Sequence, residues 1–170
     1  MSDKLFSRLR PRFQIPDNVP IRKHDLGEKC YDRKSFDIGF YEAMFIAGLR
    51  LPFSTLHRRL ASDLGVSVSQ ITPNAWRIFI KAEVLWGQLS RGNCSLTLEE
   101  FFYCYKPQEI PRSKSFYNFV CHRAALKLIS DMFDFNCQWK ARFFFVQRVN
   151  WVYSLNEWSS VRSFYDHSWG

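Results

Sequence analysis

Residues 137–146 read CQWKARFFFV, and the three consecutive phenylalanines in this stretch decide the fold. Successive side chains of a β-strand point to opposite faces, so a strand with one face in water has no use for Phe143, Phe144 and Phe145 together. Burying one phenylalanine side chain stabilises a fold by on the order of 2 kcal/mol. The stretch therefore predicts an interior strand that is buried on both faces, with Phe143 and Phe145 on one side and Phe144 on the other.

Other segments of the C-terminal half also favour strands. Residues 111–120, PRSKSFYNFV, are rich in aromatic and β-branched side chains. Residues 123–133, RAALKLISDMF, have helical propensity, yet their apolar and polar side chains alternate in part. We predict that this segment is a strand that pairs back as a hairpin, so that the C-terminal half forms a small antiparallel sheet.

The N-terminal half favours helices. Apolar residues recur at helical spacing over residues 35–48, 54–65, 72–90 and 97–105. Hydroxyl side chains stand where they can cap a helix start, a proline occupies one first helical position, and glycines stand at two ends. The residues that mark these starts and ends are Ser54 or Thr55, Thr72 with Pro73, Thr97 with Glu100, Gly48, Pro52 and Gly65.

Residues 1–35 differ from the rest of the chain. They contain nine Lys or Arg against five Asp or Glu, three prolines and no hydrophobic period. We expect an extended, flexible, basic arm here. Residues 36–160 are predicted to form a single α+β domain, whose helical N-terminal half packs on the small antiparallel β-sheet, and residues 161–170 form a tail.

The composition bounds the class of protein and its partners. Hydrophobic residues make up 46% of the 170 residues and aromatic residues 18%, which is too apolar for a disordered chain. Lys and Arg number 24 and Asp and Glu 16, so the net charge is +8, which favours polyanionic partners such as RNA or DNA. No segment is apolar and long enough to span a membrane, and no secretory signal is visible. We therefore expect an intracellular protein, in the nucleus or the cytoplasm, with no membrane partner.

Catalytic and metal-binding patterns are not apparent. The five cysteines are odd in number and include no C-x2-C pair, so neither a disulfide framework nor a zinc site is indicated. The four histidines are scattered, and neighbours such as Cys121 and His122 would point to opposite faces of a strand. Asp37, Asp63, Asp131 and Asp134 fall near predicted element ends or turns, where capping explains them. We expect no enzyme activity, no cofactor or metal, and no small-molecule substrate.

Clustered basic side chains are the candidates for nucleic-acid binding, because such clusters are its electrostatic footprint. The candidates are Arg8, Arg10 and Arg12 in the arm, Arg58 and Arg59 in the second helix, and Lys140 and Arg142 beside Trp139. A basic arm can follow phosphates. Trp139, Lys140 and Arg142 are expected to form an exposed basic edge.

Two nucleic-acid-binding motifs are matched in part. Residues 58–76, RRLASDLGVSVSQITPNAW, match part of the pattern of a helix-turn-helix, with Gly65 at the turn. Pro73 would break the recognition helix but suits the start of the following helix, so we predict two packed helices joined by an extended link. Residues 140–147, KARFFFVQ, are similar to the basic and aromatic strand of RNA-recognition sheets, but phenylalanines stand where that pattern requires small residues.

Three blocks carry a family resemblance: FYEAMFIAGLRLP at 40–52, LGVSVSQITPNAW at 64–76 and WKARFFFV at 139–146. Through them the chain, over residues 35–160, resembles the plant domain family described as gypsy-type transposon or gypsy-type transposase. The residues that carry the resemblance are Phe40, Tyr41, Phe45, Gly48, Leu49, Leu51, Pro52, Gly65, Gln70, Pro73, Asn74, Trp76, Trp139, Lys140, Phe143, Phe144, Phe145 and Val146. The resemblance implies an association with Ty3/gypsy-type retroelements of plant genomes, and it supplies no catalytic residues.

These observations lead to one expected function and one alternative. We expect a non-enzymatic, retrotransposon-associated interaction module, Gag-like in role, that binds RNA or DNA without sequence preference through its basic surface or associates with itself. The alternative is a sequence-directed DNA-binding module that uses the helix pair at residues 54–90.

Overall fold

The computed structural model describes residues 1–31, 37–111, 113–124, 127–129 and 137–147. Six α-helices and five β-strands lie in these residues. The helices are α1 (Asp3–Phe6), α2 (Leu9–Phe13), α3 (Glu42–Ile46), α4 (Thr55–Asp63), α5 (Pro73–Leu89) and α6 (Leu98–Cys104). The strands are β1 (Ile21–Lys23), β2 (Ile38–Tyr41), β3 (Tyr105–Ile110), β4 (Ser113–Cys121) and β5 (Phe143–Val146). Helices combined with small antiparallel sheets confirm the predicted α+β class.

The chain divides into two compact units. The first comprises Met1–Phe40, Arg50–Ser69 and the segment that starts at Phe143, and the second comprises Tyr41–Leu49 and Gln70–Arg142. The domain boundaries predicted at residues 35 and 160 stay predictions. The predicted tail, residues 161–170, lies outside the described residues.

The first unit contains a three-stranded sheet in the order β1-β5-β2. Strand β5 is the middle strand; it pairs antiparallel with β1, Arg22 lying opposite Phe145. The Phe143 and Phe145 rings contact each other with centroids 5.8 Å apart, whereas Phe144 stacks on Phe40 at 6.3 Å. All four side chains of β5 are buried. The prediction of an interior strand buried on both faces is therefore confirmed for residues 143–146.

Residues 137–141, in front of the three phenylalanines, are not the strand that the sequence predicts. A short 3-10 helix, Cys137–Ala141, precedes β5, and the half-buried Trp139 lies within it. The strand predicted over residues 123–133 lies mostly outside the described residues, and Lys127–Ile129 are not in a strand. Pairing with β1 requires an extended backbone only over the three residues 144–146, so the sheet does not impose a strand on Trp139.

The N-terminal segment is not an extended arm over the residues described. It forms α1, α2 and β1, and the side chains of Leu9, Phe13 and Val19 are buried. The apolar residues of this segment recur at helical spacing over only a few positions, and charged residues and Pro11 lie between them. A helical period is therefore hard to recognise in the sequence. Pro11 lies in the first turn of α2, where a helix needs no N–H from it.

The first predicted helix, over residues 35–48, is also shorter than expected. Residues Ile38–Tyr41 are strand β2, and only Glu42–Ile46 are helical, as α3. All four residues of β2 are buried, so non-local pairing overrides the helical spacing. The predicted stop is confirmed: Gly48 follows with a φ of +117°, a conformation that favours glycine.

The starts of the later helices are as predicted. The Ser54 hydroxyl accepts a hydrogen bond from the His57 N–H at 3.2 Å, and Thr72 caps α5 with Pro73 at its first position. The Thr97 and Glu100 pair forms the predicted capping box of α6. The link after α4, predicted to be extended, instead contains a short 3-10 helix at residues 68–70.

The second unit is built around aromatic side chains of α5, α6 and the antiparallel β3–β4 hairpin. The Phe101 ring lies at the centre, with its centroid 4.8 Å from Phe79, 4.9 Å from Phe119 and 5.2 Å from Tyr105. Two of these contacts are edge-to-face and the third is stacked, which are the arrangements that aromatic quadrupoles favour. This unit therefore buries the helices against a small sheet.

Candidate nucleic-acid interface

The N-terminal helices present three exposed cations, Lys4, Arg8 and Arg12, which we call the basic stripe. They lie four residues apart along α1, α2 and the turn between them. Ser7 and Arg8 keep right-handed helical backbone angles, so the turn preserves the helical spacing. Residues four apart lie on one side of a helix, and the three cations therefore share one face.

Buried side chains next to the basic stripe anchor it. Leu9 and Phe13 are 2% and 4% exposed, and each directly follows a cation of the stripe. The Arg12 guanidinium also lies 5.0 Å from the centroid of the Phe13 ring. Cations on an anchored helix lose less conformational entropy on binding than cations on a flexible arm.

The one carboxylate within the stripe's own helices is neutralised locally. Asp3 accepts a hydrogen bond from the Lys23 ammonium at 2.7 Å, and this bond lowers the pKa of the Asp3 carboxyl. Asp3 is thus ionised, but its charge is compensated by Lys23. Asp3 therefore does not neutralise the three cations of the stripe.

Arg10, a predicted nucleic-acid contact, turns inward. Its guanidinium donates to the backbone carbonyls of Ile15, Pro16 and Val19, at 3.3 Å for Ile15 and 2.9 Å for Val19. One of its nitrogens also lies 3.9 Å from the Asp17 carboxylate. Arg10 holds the loop after α2 in place, so we leave it out of the interface.

Arg58 and Arg59 lie on α4, as the sequence predicts. Arg58 donates to the Thr55 hydroxyl at 3.1 Å, and Arg59 forms an i,i+4 ion pair with Asp63 at 3.5 Å. Contacts of this kind on a helix surface are worth only about 0.2–0.5 kcal/mol. The Arg58 guanidinium can therefore exchange this contact for a phosphate at little cost.

Lys140 and Arg142 follow Trp139, but their surroundings differ. The Arg142 side chain is 56% exposed, and its Nη1 lies 3.3 Å from a carboxylate oxygen of Glu42, whose side chain is 6% exposed. Arg142 thus neutralises a buried carboxylate. The half-buried Lys140 places its ammonium against aromatic rings and the Ser113 hydroxyl. Of the three residues expected to form an exposed basic edge, Arg142 is exposed, whereas Trp139 and Lys140 are half-buried.

Arg22, Glu28 and Asp37 of the first unit form a structural ion-pair group. Arg22 donates to both carboxylate oxygens of Glu28, at 2.8 and 3.0 Å, and also to Asp37. These bonds raise the pKa of Arg22 above its usual value. Its guanidinium lies 4.1 Å from the Phe145 ring centroid, so this cation fastens the loop after β1 to the sheet.

Most of the residues that carry the family resemblance are buried or lie at the ends of helices. Trp76 and the aromatic residues of β2 and β5 are buried; Pro73 begins α5, and Gly48 and Gly65 have positive φ. Pro52 is exposed, whereas Asn74 and Trp139 are half-buried. Trp139 is the one tryptophan or phenylalanine among these motif residues that reaches the surface in part.

Groups that could carry chemistry do not converge in the part of the chain that the structure describes. Among those residues no three His, Cys, Asp or Glu side chains could hold a metal ion. His24 stacks on Phe143 with ring centroids 4.3 Å apart. Asp131, Asp134 and His167 lie outside the described residues. No helix in the described ranges has the length and apolar character needed to cross a membrane.

Sequence reasoning missed two residues beside Trp139. Phe116 and Ser113, both on β4, contact Trp139 and Lys140 respectively. The aromatic and polar residues of the segment at 111–120 predicted a strand, but one sequence gives no signal for a contact across more than 20 residues. The partner of Trp139 therefore required the structure.

Comparisons with known protein families, with curated proteins and with solved structures found no match for this chain.

Proposed function

We propose that this chain is a non-enzymatic interaction module of a plant gypsy-type retroelement, Gag-like in role, which binds RNA or DNA without sequence preference. The single observation that supports binding is the basic stripe, Lys4, Arg8 and Arg12, which buried Leu9 and Phe13 hold in a fixed geometry. The retroelement setting is supported by the resemblance of the three sequence blocks alone. A reading frame for a protease or reverse transcriptase next to the gene would test that setting.

The spacing of the basic stripe suits a phosphate backbone. A helical rise of 1.5 Å per residue separates its successive cations by about 6 Å and its ends by about 12 Å. One strand of a duplex passes about three phosphates over that length. Backbone contacts carry no sequence information, which is why the proposed binding is indifferent to sequence.

Replacing Lys4, Arg8 and Arg12 together by Ala tests the proposal. We expect the affinity for mixed-sequence RNA and DNA, measured by fluorescence anisotropy at about 50 mM salt, to fall on the order of tenfold or more. All three side chains are exposed, so the thermal unfolding midpoint should change little.

A matched control removes the same charge elsewhere. Arg91, Arg123 and Lys127 are exposed and lie outside the stripe, and their combined change to Ala also lowers the net charge by three. The proposal requires the control to retain most of the affinity. Equal losses in the two triple variants would mean that only net charge matters, and the stripe would not be the site.

Self-association is part of the same proposal. Helix α5 exposes Val84 and Leu89, 54% and 73% respectively, and these are apolar side chains that a second copy of the chain would cover. Sedimentation velocity of the unmodified protein, with and without nucleic acid, reports the mass directly. A monomer at every concentration would remove this part and leave the nucleic-acid part intact.

A further inference from the structure

A cluster of aromatic rings and cations in the second unit is partly open to water. The half-buried Trp139 lies edge-to-face with Phe116, with ring centroids 5.4 Å apart, and with Tyr41 at 4.7 Å. Phe116 is half-buried, whereas Tyr41 is buried and supports the other two rings from below the surface. We call Tyr41, Phe116, Trp139 and Lys140 the aromatic–basic cluster.

The cation of the cluster lies close to two rings. The Lys140 Nζ is 4.1 Å from the Phe116 ring centroid and 5.3 Å from that of Trp139, and it donates to the Ser113 hydroxyl at 3.1 Å. Among the residues the structure describes, no carboxylate pairs with it. Its positive charge is therefore fixed in position beside a hydroxyl and two aromatic rings.

The guanidinium of Arg142 stands two residues further along the chain and is more than half exposed. Its contact with Glu42 uses Nη1 at 3.3 Å. A guanidinium has five N–H donors, so this contact leaves other donors for a second oxyanion. The Lys140 ammonium and the Ser113 hydroxyl, 3.1 Å apart, together with the guanidinium two residues after Lys140, match the chemistry of a phosphate.

The rings match the chemistry of a nucleobase. Phe143, Phe144 and Phe145 are buried and cannot stack on a ligand, whereas Trp139 and Phe116 reach the surface. Bases of a duplex are already stacked on both faces, so only an unpaired base can lie against a protein ring. The aromatic residues in the motif WKARFFFV thus divide into a buried set and one surface ring.

We propose that the aromatic–basic cluster is a subsite for single-stranded nucleic acid, in which an unpaired base stacks on Trp139, the Phe116 ring standing nearly perpendicular beside it. The adjacent phosphate contacts the Lys140 ammonium, the Ser113 hydroxyl and the Arg142 guanidinium. This rests on the proposed function, because it names the form of nucleic acid that the basic surface holds. The basic stripe contacts phosphates of single strands and duplexes alike, and the cluster adds affinity for single strands alone.

Fluorescence anisotropy with a mixed-sequence single-stranded 20-mer, and separately with its duplex, tests the subsite. We expect Trp139→Leu to lower the single-strand affinity about five- to hundredfold, the value of one stacked base, and to leave the duplex affinity within about twofold. Trp139→Phe, which keeps a ring at the position, should recover most of the loss.

The control is Trp86→Leu, since Trp86 is also half-buried and lies in the same unit, outside the cluster. It should leave both affinities unchanged. Lys140→Met serves as a second variant that keeps the rings, and it should lower the single-strand affinity more than the duplex affinity. If Trp139→Leu fails to fold, the Trp139→Phe and Lys140→Met results decide.

The outcomes separate the two proposals. Equal affinity of the unmodified protein for the single strand and the duplex, or equal losses for both in the variants, would overturn the subsite and keep the proposed function. Absence of binding to either probe at about 50 mM salt would overturn both.

Discussion

At the scale of single residues, Phe144 shows most directly how the sequence determines the fold. It lies in the middle strand of a sheet, opposite in direction to its neighbours Phe143 and Phe145, and its side chain is fully buried. Strand alternation makes this arrangement predictable, because no one-faced strand accommodates three such rings. The Phe144 ring is part of the core of the first unit.

Phe144→Ala should therefore be costly. Truncating a buried phenylalanine removes its transfer free energy and leaves a cavity, so we expect the free energy of unfolding to fall by about 3–5 kcal/mol. Urea titration followed by circular dichroism measures it. Tyr103→Ala is the control, because Tyr103 is an aromatic residue that is 72% exposed. Similar losses in both variants would contradict the assignment of β5 as the core strand.

Arg10 shows what one sequence cannot predict at this scale. Its spacing with Arg8 and Arg12 suggests three equivalent phosphate contacts, yet its guanidinium binds three backbone carbonyls of the loop at residues 15–19. Every residue has a backbone carbonyl, so the residue types do not show which carbonyls will accept a hydrogen bond from Arg10. The stripe that the structure supports replaces Arg10 by Lys4, which lies at the correct helical spacing.

At the scale of elements, features set by neighbouring residues were predicted correctly, whereas features set by residues far apart in the sequence were not. The starts of α4, α5 and α6 were predicted from Ser54, Thr72 and Thr97, because capping depends on residues within one turn. Strand β2 was predicted as part of a helix, because its conformation is set by a sheet whose other strands lie far away in the sequence. The contact of Trp139 with Phe116 was missed for the same reason.

The helix pair at residues 54–90 allows a test against the DNA-reading alternative. Arg58→Ala with Arg59→Ala should weaken binding to every duplex of a mixed panel by a similar factor, because phosphate contacts act uniformly across sequences. Competition binding measures this. The control is Arg91→Ala with Arg123→Ala, which removes two exposed arginines of the second unit.

The alternative predicts a different pattern. If the unmodified protein prefers one duplex over the others by more than about tenfold and the Arg58, Arg59 variant loses that preference, then these arginines read sequence. That result would replace the proposed function by a DNA-binding module. Uniform weakening would dismiss the alternative.

At the scale of the whole molecule, the net charge of +8 was available from composition, but its distribution was not. Arg10 and Arg22 are both engaged by the fold, Arg22 through two carboxylates, and Arg142 neutralises a buried glutamate. Fewer of the 24 Lys and Arg side chains are therefore open to a partner than their number suggests. The basic stripe is an organised set of exposed cations, and it lies on a segment that the composition indicated to be a flexible arm.

The salt dependence of binding tests this account most directly. Each phosphate contact contributes about 0.7–0.9 to the slope of log affinity against log salt concentration, so the change of Lys4, Arg8 and Arg12 to Ala should reduce the slope by about 2–3. The measurement is anisotropy over a range of salt concentrations, with the unmodified protein beside the triple variant. A slope reduced by that amount supports a fixed three-cation contact with the nucleic-acid backbone. An unchanged slope, or the absence of binding even at about 50 mM salt, would contradict it.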